Sequence, residues 1–314
     1  MQQALNRRQA LKGALALTAG LMAAPILPRE TSAFTPYTPY PLRRIDIGPN
    51  DSIQDAIDYA AEHGANQTQT LGSTEQGGTP WTIVLHPGEY NQSGVHMKEG
   101  VNLTSLMERT VLWVADDSAR PLITWAANAT ISGLTIEQLN PNQPALLIEE
   151  AIQASVHNCI IGNTASENVP AVLQHKGFIR IFDTDIRKGQ MRLSPTVEYG
   201  LGNPVGLNLI RSRLWAGNIV ISGTYSSLLM LKFCDMDGKD VLSTSTGHVI
   251  GHFNGNTRMG KVVNSGTGAY DLHQCEARDL ACTNPAGSID VWGGHVETVS
   301  NRTGTITFHP GVTV

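Results

Sequence analysis

The stretch I-S-G-L-T-I, from Ile131 to Ile136, recurs in altered form four more times along the middle of the chain. The later copies are V-H-N-C-I-I (156–161), I-F-D-T-D-I (181–186), L-I-R-S-R-L (209–214) and L-K-F-C-D-M (231–236). Their closing aliphatic residues are 25, 25, 28 and 22 residues apart. A repeat of this length is one supersecondary unit that cannot bury its own apolar face, so it must stack on its neighbours. The repeat therefore predicts a solenoid.

The residue composition favours strands and turns over helices. Charged residues make up only 16% of the 314 residues, and 31 residues are glycine. Long helical bundles are rich in Ala, Glu, Lys and Leu, whereas Thr, Asn, Gly, Val and Ile are prominent here. A β-sandwich would need hairpin turns between paired runs, and only Asn254-Gly255 fits that pattern cleanly. We therefore expect an all-β solenoid of about eight or nine coils.

Four segments near the beginning of the chain resemble a known superfamily. They are D-S-I-Q-D-A-I (51–57), T-I-V-L-H-P-G-E-Y (82–90), V-N-L-T-S-L (101–106) and A-T-I-S-G-L-T-I (129–136). Their order is similar to the opening of the pectin-lyase-like right-handed parallel β-helix proteins. The resemblance implies a single-stranded right-handed parallel β-helix over residues 45–314, with a capping helix at its N-terminal end. The superfamily includes polysaccharide lyases, hydrolases, esterases, tailspikes and non-catalytic proteins, so fold alone does not define activity.

The first 44 residues are expected to lie outside the solenoid. Residues 1–33 resemble a twin-arginine export signal, with Arg7-Arg8 before an apolar stretch that is too short to span a bilayer. The alternatives are an N-terminal amphipathic helix or a retained anchor. Residues 34–44 form a proline-aromatic lead-in that should be extended. We expect a periplasmic or secreted protein with no stable membrane span once the signal is removed.

Charge limits the choice of partner. Residues 1–33 carry four basic residues and one acidic residue, so their removal takes the net charge from −5 to −8. A negative charge of this size argues against nucleic acid as a partner. An acidic polysaccharide would need a local basic patch or a bridging cation.

The four cysteines show no metal-ligand spacing. Cys159 and Cys234 occupy the same place in the repeat, and we expect both to point inward as small apolar residues. Cys275 and Cys282 are close enough in sequence to suggest a local disulfide.

Aligning the repeats on their closing residues brings charged residues into columns. Asp185, Arg213 and Asp235 precede closure in three successive coils and should stack outward, because strand side chains alternate. Two positions earlier, Asp183 should stack on Arg211. Together with the positions after closure, these columns predict a charged patch around Trp215 that contains Asp183, Asp185, Arg187, Lys188, Arg211, Arg213, Asp235, Asp237 and Lys239.

One interpretation of the patch is a polysaccharide site. Trp215 would offer a platform for a pyranose ring, and Arg187, Lys188 and Lys239 would bind substrate. The aspartates that could hold Ca²⁺ are Asp183, Asp185, Asp235 and Asp237. In resembling lyases an Arg or Lys removes a proton beside a neutralised carboxylate, which makes Arg211, Arg213 and Asp185 the catalytic candidates. The other interpretation is a salt-bridge ladder, since stacked like charges repel.

Activities with defined motifs are not supported. Asp183-Thr184-Asp185-Ile186 lacks the preceding Gln of pectin esterases, and Gly247-His248-Val249 lacks the final Gly of polygalacturonase-type hydrolases. The sequence thus predicts an exported β-helix that recognises a polysaccharide along its flank. If the protein is an enzyme, we expect it to cleave that polysaccharide as a pectate-lyase-like lyase. The alternative is a non-catalytic cell-surface or tailspike-like module.

Overall fold

A computed structural model describes residues 43–65, 80–125, 128–149, 154–196, 205–236 and 238–314, all within one compact unit. The export signal and most of the predicted lead-in lie outside the described residues. One helix, α1 (Ile53–Ala60), precedes most of the strands. The strands are β1 (Arg44–Ile47), β2 (Trp81–Leu85), β3 (Gly88–Tyr90), β4 (Val95–Met97), β5 (Val101–Ser105), β6 (Val111–Ala115), β7 (Ile123–Trp125), β8 (Ala129–Ser132), β9 (Leu134–Gln138), β10 (Leu146–Ile148), β11 (Ala154–His157), β12 (Ile160–Asn163), β13 (Pro170–Gln174), β14 (Phe178–Phe182), β15 (Asp185–Lys188), β16 (Gln190–Leu193), β17 (Val205–Ile210), β18 (Arg213–Leu214), β19 (Ile219–Ile221), β20 (Ser227–Lys232), β21 (Val241–Ser243), β22 (Val249–Asn254), β23 (Arg258–Asn264), β24 (Ala269–Cys282), β25 (Ser288–Arg302), β26 (Thr305–Phe308) and β27 (Val312–Thr313).

These strands form a right-handed parallel β-helix, which confirms the predicted fold class. It has about ten turns, more than the eight or nine expected from the sequence. The first face runs through β1, β2, β5, β8, β11, β14, β17, β20, β22 and the first parts of β24 and β25 to β26. The second face stacks β3, β6, β9, β12, β15 and β18, and continues through isolated bridges to β24, β25 and β27. The third face stacks β4, β7, β10, β13, β16, β19, β21 and β23.

The closing residues of the repeat lie in the core. Ile136, Ile161, Ile186, Leu214 and Met236 are each 0–1% exposed. Burying an aliphatic side chain of this size contributes about 1.5–3 kcal/mol, and each repeat contributes one such residue to the same column. The repeat thus stabilises the fold only when its neighbours are present, as expected of a solenoid.

Each repeated phrase spans a corner rather than a single strand. The first half lies on the first face, the second half begins the second face, and the residue between them has a left-handed backbone. Gly133, Asn158 and Asp183 hold this corner position in three coils, and these residue types tolerate a left-handed backbone. Arg211 (φ 49°) and Phe233 (φ 56°) hold it in the next two, which residue type alone did not predict.

A buried column of hydroxyl and thiol groups supports the corners from inside. The Cys159 amide donates to Thr184 Oγ1 at 3.2 Å, and the Thr184 amide donates to Ser212 Oγ at 3.2 Å. The Cys234 amide donates in the same way to Thr257 Oγ1 at 3.3 Å. Each bond satisfies a buried amide that the turn would otherwise leave unpaired.

The predicted N-terminal helix is confirmed, with Ser52 as its N-cap. The Ser52 hydroxyl accepts a hydrogen bond from the Asp55 amide at 3.1 Å. Ile53, Ala56, Ile57 and Ala60 form its buried face. This face joins the same hydrophobic core as the first strands, which is the position the resemblance implies for a capping helix.

The suggested disulfide between Cys275 and Cys282 is wrong, because all four cysteines are free and buried. Both residues lie on β24, which bends from the second face to the third face between them, since Glu276 pairs with Arg258 and Cys282 pairs with Asn264. The inward orientation of Cys159 and Cys234 is confirmed.

We therefore expect the native protein to resist thiol modification. Burial raises the pKa of Cys275 to about 12 and that of Cys159 to about 11, so little thiolate exists at neutral pH. An aromatic disulfide reagent should label essentially no thiols in the native protein and four after denaturation in the absence of reductant. Two thiols after denaturation would indicate that one disulfide is present.

Candidate functional site

The predicted charged column exists on the second face and is longer than expected. Asp185 pairs with Arg213, which bridges to Asp235, and Asp235 bridges to Arg258. Arg258 in turn pairs with Glu276, and Glu276 pairs with His295. We call these six residues, Asp185, Arg213, Asp235, Arg258, Glu276 and His295, the charge column. Acidic and basic side chains alternate along it without interruption.

The three described carboxylates of the predicted patch contact arginines. Arg211 donates two hydrogen bonds of 2.7 Å to the Asp183 carboxylate, one from Nε and one from Nη2. Arg258 lies 3.7 Å from Asp235. Arg109, which precedes β6, lies 3.4 Å from Asp185. Arg109 was absent from the predicted patch because nothing in its sequence neighbourhood points to a residue 76 positions later.

The Asp183–Arg211 ion pair shifts the pKa of both side chains. The hydrogen bonds from Arg211 hold the pKa of Asp183 below its usual value. The same bonds raise the pKa of Arg211, which is the direction opposite to what a general base needs.

The proposed substrate-binding residues are arranged less uniformly. Trp215 is 47% exposed, and the Arg213 guanidinium lies over its ring at 5.5 Å from the centroid. Lys188 donates from Nζ to the Thr164 carbonyl at 2.6 Å. A register shift in β12 pairs Gly162 with Lys188 instead of Arg187. Arg187 is exposed and Lys239 is half-buried.

The candidate calcium ligands do not form a cluster within the described residues. Asp183, Asp185 and Asp235 lie in the described part of the chain, whereas Asp237 lies outside it. The structure, as far as it is described, contains no group of three or more His, Cys, Asp or Glu side chains that could hold a metal ion.

A second feature, which the sequence did not predict, is an open groove of about 520 Å³ at the corner between the first and second faces. We call it the corner groove. Its walls carry two aromatic rings, two amides and two basic side chains around one glycine. The lining residues are Lys232, Phe233, Asn254, Gly255, His273, Gln274 and Trp292.

The strand register explains why these residues meet. Lys232 pairs with Asn254, Asn254 with His273, and His273 with Trp292, so all four form one outward column. Phe233 holds the adjacent corner position. From Lys232 to Trp292 the groove spans three strand spacings, or about 14 Å.

The floor of the groove depends on a glycine. Gly255 has a left-handed backbone with φ of +72°, and the Phe233 ring lies directly against it. A Cβ atom at position 255 would sit 2.4 Å from two carbons of that ring. Phe233 consequently lies on the backbone of the next coil while remaining 55% exposed.

The far wall is held in place by stacking. The Trp292 ring is parallel to the His309 ring at 3.3 Å and to the His273 ring at 5.9 Å between centroids. His309 also lies 3.7 Å from Asp290. Trp292 remains 44% exposed, so it offers apolar surface in a defined orientation.

A smaller concavity of about 380 Å³ is lined by Asn91, Ser93, Ala115, Asp116, Asp117 and Ser118. The Asp117 carboxylate in this concavity already has hydrogen-bond partners. It accepts hydrogen bonds from the Ser93 hydroxyl at 2.5 Å and from the Ala119 amide at 2.8 Å. The hydrogen bond from Ser93, followed by that from Ala119, lowers the pKa of Asp117 to about 2. These contacts stabilise the turn around Asp117.

Comparison with models of known families, with curated proteins and with solved structures finds no match to this chain. The structure establishes the parallel β-helix architecture. The resemblance to pectin-lyase-like proteins rests on the sequence motifs alone. No helix among the described residues is sufficiently long and apolar to cross a bilayer.

The Asp183–Arg211 pair leads to a prediction about pH. Because the folded-state pKa of Asp183 is lowered, its stabilising effect is present above the unfolded value of about 3.8 and is lost as pH falls through the folded value. At neutral pH, Asp183→Asn should lower the free energy of unfolding by no more than about 1 kcal/mol, since the pair is exposed. Urea denaturation at pH 7 and at pH 3 should show this difference shrinking on acidification.

The matched control is Glu167→Gln, which neutralises an exposed carboxylate outside the patch. It should change stability less than Asp183→Asn at pH 7. Equal effects of the two substitutions would show that net charge, and not the pair, is responsible.

Proposed function

We propose that this protein is an exported β-helix that binds a polysaccharide along its flank, in the corner groove. The observation that carries the proposal is the pair of exposed aromatic rings, Phe233 and Trp292, that line one open, elongated concavity. The proposal refines the expectation from sequence, which placed the polysaccharide at Trp215. Trp215 lies on the adjacent second face and lines neither described concavity.

The chemistry of the lining supports a sugar ligand. A pyranose ring has apolar faces and a rim of hydroxyl groups, and it is best matched by aromatic surface with donors and acceptors beside it. Phe233 supplies an exposed ring, and the amides of Asn254 and Gln274 supply both donors and acceptors.

The length and openness of the groove favour a polymer. Its extent of about 14 Å is larger than one sugar ring, and the groove is open to solvent. Lys232 is the strongest positive charge in the lining, with its ammonium group 5.7 Å from the Phe233 ring. It would contact a carboxylate on an acidic chain or a hydroxyl on a neutral one.

The same geometry supports binding without cleavage. Arg211 is held by Asp183 in two hydrogen bonds that raise its pKa, and Arg213 lies over Trp215. The charge column favours a second candidate, a non-catalytic cell-surface or tailspike-like module. Its alternating acidic and basic side chains attract each other from coil to coil, so they stabilise the second face without a ligand.

The testing experiment separates these candidates. The purified protein is applied to a panel of immobilised acidic and neutral polysaccharides, with and without Ca²⁺, and release of unsaturated uronides is followed by absorbance. We expect retention on at least one polysaccharide and no product. No retention on any polysaccharide would contradict the proposal and favour the structural module. Product formation that is lost in the Arg211→Ala, Arg213→Ala double variant would restore the lyase interpretation.

A further inference from the structure

We propose that the second face is the interface of a two-fold symmetric dimer of this chain, formed by two antiparallel charge columns. The inference is independent of polysaccharide binding, which the corner groove accounts for. It begins from the order of charges along the column, which is acidic, basic, acidic, basic, acidic and then His295. These residues occur one per coil, about 4.8 Å apart.

An even number of alternating charges is self-complementary when reversed. Consider a two-fold axis that lies in the face, perpendicular to the solenoid axis, between Asp235 and Arg258. It places Asp235 opposite Arg258 of the partner subunit and Arg213 opposite Glu276 of the partner subunit. It also places Asp185 opposite His295 of the partner subunit. Every position in the column then meets a group of opposite sign or a titratable base, and each contact occurs twice.

Two pairs of neighbouring outward positions follow the same symmetry. Trp215 and Arg278 lie two residues after Arg213 and Glu276, so they share a side of the strand with them. The axis brings Trp215 against Arg278 of the partner subunit, a cation–π pair. Arg187, two residues after Asp185, meets Glu297 of the partner subunit. All four of these side chains are exposed.

The alternative two-fold arrangement is disfavoured by the same charges. A dimer with parallel solenoids would place each residue of the column against its own copy, so Arg213 would meet Arg213 and Asp235 would meet Asp235. Like charges in contact across an interface are unfavourable by several kcal/mol. The pattern therefore selects one orientation as well as one face.

The ion pairs that the charged side chains of this face make within one chain are weak enough to be replaced by contacts with a partner subunit. Arg258 lies 3.7 Å from Asp235 and is 57% exposed, and Arg278 lies 3.5 Å from Asp240 and is 61% exposed. Exposed pairs of this kind contribute little to stability, so a partner charge competes with them readily. The interface extends over five strand spacings, about 24 Å, and should be weak and sensitive to salt.

The experiment is sedimentation velocity of the full chain from about 1 µM to about 1 mM, the range in which weak dimers dissociate. The variants are Arg213→Glu, Glu276→Arg and the double variant with both substitutions. Each single variant creates two like-charge contacts and should raise the dimer dissociation constant at least about 10-fold. The double variant restores opposite charges across the axis and should return to within about 3-fold of the wild type.

The double variant also shows whether the effects on dimerisation arise between two chains or from contacts inside one chain. Arg213 and Glu276 are three coils apart in a monomer, about 14 Å, and the exchange makes the column acidic over three coils and basic beyond them. The exchange should therefore lower monomer stability while it restores the dimer. Circular dichroism checks that each variant is folded. If a single variant does not fold, the salt dependence of wild-type dimerisation replaces it, with weakening expected between about 50 mM and about 500 mM salt.

The proposal is overturned by a wild-type protein that stays monomeric throughout the concentration range. It is equally overturned by a double variant that dimerises no better than the single variants, or by a dimer that neither salt nor Arg213→Glu weakens. None of these results affects the polysaccharide proposal, which is measured by retention on glycans.

Discussion

Replacing Phe233 and Trp292 together with alanine is expected to weaken polysaccharide binding at least about 100-fold. The two rings are the exposed apolar surface of the corner groove, and their removal leaves only the polar lining groups. Loss of two aromatic anchors from a binding site costs about 3 kcal/mol or more, which corresponds to this factor. Calorimetric titration with the oligosaccharide selected by the binding panel measures the change.

Two further variants make this result specific to the groove. Tyr59→Ala removes an exposed aromatic ring from the N-terminal helix, far along the solenoid, and should leave affinity within about 2-fold of the wild type. Trp215→Ala tests the site first expected from sequence. A large loss with Trp215→Ala and none with the groove variant would move the binding site to the charged patch.

Gly268→Ala is expected to lower the free energy of unfolding by about 3 kcal/mol or more. A Cβ atom at this position would sit 1.7 Å from the Val249 carbonyl oxygen and 2.5 Å from the Val249 amide nitrogen. Both atoms belong to the backbone of the preceding coil, so no side chain can rotate away. The coils would have to separate locally, which breaks the register between β22 and β24. Chemical denaturation followed by circular dichroism measures the effect.

Gly48→Ala is the matched control for this substitution. A Cβ atom there would lie 3.6 Å from an Asp51 carboxylate oxygen, which is an ordinary contact, and no left-handed backbone is involved. We expect a change in stability within about 0.5 kcal/mol. A Gly268→Ala protein as stable as Gly48→Ala would mean that the coils are not packed as closely as described.

The solenoid and its outward charges could be predicted because both follow from the regular spacing of residues in the sequence. The spacing of Ile136, Ile161, Ile186, Leu214 and Met236 sets the length of a coil, and two-residue alternation places Asp185, Arg213 and Asp235 outward. The structure extends that column to Arg258, which the aligned phrases did not reach because the turn Gly255-Asn256-Thr257 contains one additional residue.

The corner groove could not be predicted because it depends on relations between distant coils. Phe233 belongs to a recognised repeat, but its outward position follows from a left-handed corner that is unusual for Phe. Trp292 lies three coils further on, outside the five aligned phrases, and is positioned by His309 in the last turn. The ion pair between Arg109 and Asp185 was missed for a similar reason.

The measurement that tests the central claim most directly is hydroxyl-radical footprinting of the protein with and without its bound polysaccharide. Phe233 and Trp292 are expected to become protected on binding, while Tyr59 and Trp215 keep their reactivity apart from changes that also follow protein concentration. Protection at Trp215 without protection at Phe233 and Trp292 would contradict the account and place the ligand on the second face.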